Sequence, residues 1–157
     1  MKNKVYSIEK KAGIWINHTC AHVYQLNDNF QYELKTFFSE PEQSQEEQGG
    51  KKHSRFKRMF MNQARIQRRE HQKMLKFFDL ITHQIRDINY LYLFGPGSSK
   101  HELSNFVEKA GKKFSIKVMA VDAADKMTPA QMLEQVKNYF RSLSFEDSQR
   151  QLLSTEH

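Results

Sequence analysis

The stretch Tyr90-Leu91-Tyr92-Leu93-Phe94-Gly95-Pro96-Gly97-Ser98-Ser99-Lys100 decides the fold. Its five consecutive bulky apolar residues leave no polar face, so the run reads as a strand buried on both sides. Strands of that kind are parallel strands in a sheet covered by helices. Gly95-Pro96-Gly97 ends it. Ser98 or Ser99 can cap the next helix, with Glu102 three residues beyond Ser99 as a capping box, and Gly111 closes that helix.

Working outward, Ser54 to about Asp87 has the spacing of a long helix, with a bend expected near Gln67 to Glu70. Phe56, Met59 and Phe60, then Met74, Phe77, Phe78, Ile81 and Ile85, step by three and four. From Asn62 to Lys73 the chain is nearly all polar, and Ile66 alone reads there as a core residue; this part is expected to stand proud of the sheet. Downstream, Phe114 to Val121 is a strand. Thr128-Pro129 starts a further helix through Met132, Val136, Tyr139 and Phe140, Thr as cap and Pro in the first turn. Upstream, Ala12 to Leu26 reads as two strands joined at His18-Thr19, and Asn27-Asp28-Asn29 is a turn. Phe30 to Phe38 is a third strand, with Tyr32, Leu34 and Thr36 alternating against Glu33 and Lys35. The predicted fold class is α/β: a single mixed β-sheet in the order βββαβαβα with flanking helices, ribonuclease-H-like.

The length of 157 residues predicts a single domain, 1–157, with its core over about 12–143, a flexible polar loop at 39–53 and a tail at 144–157 that frays. One cysteine, Cys20, excludes an internal disulfide framework and a Cys-rich zinc site. No stretch approaches the roughly 20 apolar residues of a membrane span. The charged start Met-Lys-Asn-Lys has no apolar run behind it, so no signal peptide is read, and the expected location is cytoplasmic. There is no internal repeat.

Charge is concentrated in one place. Between Lys51 and Lys76 there are ten Lys or Arg and one acid, Glu70, which is +9 in 26 residues; the whole chain is +7, so the remainder carries −2. Arg55 and Arg58, like Arg65, Arg68 and Arg69, stand three or four apart and cluster on a helix. A solvated helix face normally mixes signs, and this one does not. The basic helix beside the Gly49-Gly50-Lys51-Lys52 tip therefore points to a phosphate-rich partner, RNA foremost. The plainer reading of Gly49-Gly50 is a linker before a helix.

These motifs in this order resemble the middle domain of the archaeal and eukaryotic class I release factors and their Pelota relatives. They resemble still more the small bacterial relatives known as translational machinery proteins. The resemblance runs over roughly residues 12 to 141. It rests on Trp15-Ile16-Asn17-His18, on Gly-Gly followed by Arg55-Phe56, on Gly95 to Lys100, and on Lys126-Met127-Thr128-Pro129-Ala130-Gln131. It implies ribosome, rRNA or tRNA as partner. In the release factors the loop tip is Gly-Gly-Gln, whose Gln helps hydrolyse peptidyl-tRNA; here the tip is Gly49-Gly50-Lys51, and Gln48 is out of register. RNA-binding residues are therefore expected at Gly49, Gly50, Lys51, Lys52, Arg55, Arg58, Arg65, Arg68 and Arg69, without catalysis. Two alternatives stand beside this: hydrolysis of peptidyl-tRNA or a related ester by the variant tip, and docking of an acidic protein.

The turn Gly95, Gly97, Ser98, Ser99 and Lys100 is a second candidate, an anion site at a helix N-terminus; its alternative is a tight strand-to-helix connection. It lacks the spacing of a Walker A loop. The histidines show no helical pair next to a carboxylate, so neither metal nor other cofactor is expected. Asp122 and Asp125 follow the last strand, but Asn17 stands where a nuclease of this fold would place a first-strand Asp. Cys20 lies near His18 and His22, and a thiol on a strand is most often structural. Oligomeric state is left open.

Overall fold

The computed structural model describes residues 10–40, 55–110 and 113–155. It contains strands β1 (Lys11–Ile16), β2 (Cys20–Leu26) and β3 (Tyr32–Phe38), helix α1 (Arg55–Gln84), strand β4 (Tyr90–Gly95), helix α2 (Ser99–Ala110), strand β5 (Lys117–Ala123) and helix α3 (Pro129–Thr155). The five strands form one sheet in the order β3-β2-β1-β4-β5. β1 lies antiparallel to β2 and parallel to β4, β2 is antiparallel to β3, and β4 is parallel to β5. The α/β class, the mixed sheet and the order of elements are those read from the sequence.

Each face of the sheet has its own core. On one, Ala12, Ile14, Ile16, Ala21, Val23, Leu91 and Leu93 meet Phe77, Phe78 and Ile81 of α1, Ile85 just beyond it, and Leu103 and Val107 of α2. On the other, Trp15, Tyr24, Leu26, Tyr92 and Phe94 meet Met132, Val136 and Phe140 of α3. Leu91 and Leu93 thus serve one core, Tyr92 and Phe94 the other, which is why this strand had to be apolar throughout. Between Leu91 and Tyr92 the pairing with β5 slips by one residue. That irregularity lets Val118 and Val121 serve the α1–α2 side while Ala120 serves the α3 side.

The structure differs from the sequence reading in three places. α1 runs continuously from Arg55 to Gln84, and Ile66, read as a core residue, is 54% exposed because no described element packs over it there. β3 begins at Tyr32 instead of Phe30, Phe30 being taken into the turn at a φ of 57°, and as the edge strand of the described sheet it is exposed along most of its length, Tyr32 and Leu34 included. β5 starts at Lys117 instead of Phe114, and α3 extends to Thr155. No helix among the described residues is long and apolar enough to cross a membrane.

Candidate nucleic-acid interface

α1 has two unlike parts. From Phe77 to its end at Gln84 it buries Phe77, Phe78, Ile81 and Thr82, with Ile85 buried just beyond, and the Thr82 hydroxyl donates to the Phe78 carbonyl at 2.7 Å. From Gln63 to Lys73 every side chain is exposed. At 100° per residue, Arg65, Arg68 and Arg69 fall within an arc of roughly 100° opposite the core-facing side, with Lys76 on the same line. Arg65 and Lys76 are then separated by roughly 16 Å of helix, a ridge long enough to follow several phosphates. None of Arg65, Arg68 and Arg69 forms an ion pair with a described residue.

The acid within this stretch is turned away from the ridge. Glu70 sits 3.9 Å from Lys73, and Lys73 also holds Glu40 at 3.0 Å. The hydrogen bond that Lys73 donates to Glu40 is the main reason its ammonium holds its proton above the ordinary lysine range. Glu40 follows directly on β3, so this contact ties the end of β3 to α1 where the helix leaves the sheet. Lys76 was counted in the sequence but not placed in the site. Its spacing of seven from Arg69 and eleven from Arg65 was the available signal.

Gly49, Gly50, Lys51 and Lys52 lie outside the described residues. Arg55 and Arg58 lie on the first turn of α1 as backbone positions. The anion-turn residues are all placed, and the structure gives most of them other work. Lys100 is 95% buried and donates its ammonium to the Gly97 carbonyl, closing its own turn. The Ser99 hydroxyl pairs with His18 Nδ1 at 3.0 Å. The Ser98 hydroxyl donates to Glu102 at 2.8 Å, and the Ser98 carbonyl accepts the backbone N–H groups of His101 and Glu102. Gly95 has a φ of 144°, and a β-carbon there would stand 2.2 Å from the Ile16 carbonyl oxygen, so glycine is required for β4 to pass β1.

The other motifs converge on the same end of the sheet, at the carboxyl ends of the three parallel strands. Asn17 accepts hydrogen bonds from the backbone N–H groups of Thr19 and Cys20 and from the Thr19 hydroxyl, an Asx turn that organises the β1–β2 connection. Trp15 Nε1 donates to the Asp125 carbonyl at 3.3 Å. Thr128 and Gln131 cap α3 reciprocally, each side chain bonding the other's backbone N–H. Asp122 accepts from the Tyr92 hydroxyl, which also takes a bond from Gln135. Burial first, and then the Asp122 carboxylate, pushes the Tyr92 phenol up to about 12, against the lowering effect of Gln135. Cys20 Sγ lies 3.9 Å from His22 Nε2, whose pKa burial lowers, and the other ring nitrogen meets the Thr36 hydroxyl at 3.1 Å. Among the described residues no three His, Cys, Asp or Glu gather closely enough to hold a metal ion.

No family model matches the chain. No curated protein matches it either. Among solved structures it is similar to Pelota of Thermoplasma acidophilum, at 11% identity over 78% of this chain and 30% of that one, with a TM-score of 0.45. It is similar to Pelota of Archaeoglobus fulgidus, at 12% identity over 92% and 37%, TM-score 0.45. It is also similar to an archaeal translation termination factor, at 14% identity over 90% and 42%, TM-score 0.44. The chain thus spans well under half the length of each.

Proposed function

We propose that this protein binds RNA, rRNA or tRNA on the ribosome, through the outer face of α1, and that it acts by occupying a site and not by catalysis. The observation that carries the reading is the ridge of Arg65, Arg68, Arg69 and Lys76, set opposite the core and free of described acids. Like charges three and four apart cost a helix a few tenths of a kcal/mol per pair. A phosphate backbone offsets that cost with charge-assisted hydrogen bonds and counterion release. An acidic protein surface would serve less well, because a row of cations spaced along one helix matches a regularly charged polymer.

The ribosome, and with it a cytoplasmic setting, enters through the resemblance of the motif order to the release-factor middle domain and to its small bacterial relatives. Gly49, Gly50, Lys51, Lys52, Arg55 and Arg58 would extend the surface toward the RNA. Hydrolysis is not assigned, since Lys51 has no side-chain amide to position a water in the manner of Gly-Gly-Gln.

The test is co-sedimentation with ribosomes through sucrose at low and moderate salt. Wild-type protein is expected to travel with ribosomes and to be released as salt rises. Arg65→Glu, Arg68→Glu and Arg69→Glu together should abolish co-migration while circular dichroism stays unchanged. A triple variant that still co-sediments would sink the proposal.

A further inference from the structure

We propose that β3 is a dimerisation edge at which a second copy of this chain pairs antiparallel about a two-fold axis through Leu34. β3 ends the sheet, and three large apolar side chains on it face solvent: Tyr32 at 53%, Leu34 at 40% and Phe38 at 65% exposure. All three project on the α3 side, since they pair with Leu26, Tyr24 and Cys20 of β2. The register with β2 also fixes which backbone groups of β3 lack a partner among the described residues. Ser39 N–H donates to the Thr19 carbonyl and Asn27 N–H to the Gln31 carbonyl, so positions 31 and 39 turn their backbone toward β2. Alternation along an antiparallel ladder then directs the N–H and C=O groups of Tyr32, Leu34, Thr36 and Phe38 outward.

An open edge is commonly guarded by a charge, and Lys35 alone would do that. Here Lys35 has Glu33 two residues before it on the same face, 3.6 Å away. That pair is complementary to itself in one register only. With the axis on Leu34, Glu33 of each copy stands opposite Lys35 of the other, Tyr32 opposite Thr36, and Leu34 opposite Leu34. An axis on Lys35 or Glu33 sets like charges face to face, and an axis on Thr36 sets Lys35 against Phe37. The favoured register puts the outward backbone groups of Tyr32, Leu34 and Thr36 into about six inter-chain hydrogen bonds. It leaves the two Glu–Lys pairs at the closely spaced positions. Such self-complementarity belongs to an isologous contact between identical strands, which is the ground for a second copy as occupant.

Sedimentation equilibrium on nuclease-treated full-length protein across the micromolar range tests this apart from RNA binding. A monomer–dimer equilibrium is expected for the wild type. Lys35→Glu opposes acids at both cross-strand positions and should weaken the dimer by about tenfold. Adding Glu33→Lys to that variant restores opposite charges and should recover the affinity, with circular dichroism confirming that all three proteins are folded. A wild type that is monomeric throughout, a dimer indifferent to Lys35→Glu, or a double variant that fails to recover would each overturn the proposal.

Discussion

The packed part of α1, from Met74 to Gln84 with Ile85 directly after it, and its exposed part, from Gln63 to Lys73, are one continuous helix under two different constraints. The first gives the sheet five buried or half-buried apolar side chains and is fixed by the shape of the surface it covers. The second buries nothing, and its arginines meet no described acid. A folding requirement explains the packed half completely. It explains nothing about the arginines, which a neutral helix former would replace at no cost to the core. The core leaves them unexplained, and the function proposed above assigns them to a partner.

Substitutions should separate the two halves, beginning with the largest effect. Phe77→Ala removes a core aromatic that is 1% exposed and should lower stability by about 3–5 kcal/mol in urea denaturation. Equal losses for an arginine in the exposed half would break the comparison. Gly95→Ala tests the turn that holds β4 against β1. Its β-carbon would enter the Ile16 carbonyl at a φ of 144°, and a loss of about 1–3 kcal/mol or more is expected by the same measurement, with RNA affinity of the folded fraction unchanged.

A pH titration sharpens the contrast further. Tyr92 ionises near pH 12 when folded and near 10 when unfolded. Above pH 10 the unfolded chain loses that proton and the folded chain keeps it. The contribution is therefore whole below pH 10 and is lost as pH rises toward 12. Alkaline unfolding of Tyr92→Phe should lack this part of the pH dependence, whereas Arg65→Gln should keep it. Smallest of all, Arg65→Gln with Arg68→Gln and Arg69→Gln should move stability by no more than about 0.5 kcal/mol, in the stabilising direction if relief of like-charge repulsion dominates.

The sheet was legible because its signals are local and strong. The apolar run Tyr90–Phe94 needs two covered faces, and Thr128-Pro129 with Gln131 carries its capping geometry in four residues. Ile66 was misjudged because periodicity shows which residues share a face, but not whether another element lies over it, and no described element lies over Ile66. In the site, the charge of α1 was plain in composition, and its ridge needed only the core face as a reference. The work of Lys100, Ser99 and His18 was not legible, because it depends on β1 and β4 ending side by side, 81 residues apart between His18 and Ser99.

The most direct measurement of the central claim is the salt dependence of binding to single-stranded RNA by fluorescence anisotropy, wild type against the triple Arg→Gln variant. If six cations around α1 meet phosphates, the log–log slope for the wild type is about −4, and neutralising three of them should shrink it by about 2. An affinity indifferent to salt, or the same slope in both proteins, would contradict the assignment of the exposed half of α1 as the RNA-binding surface.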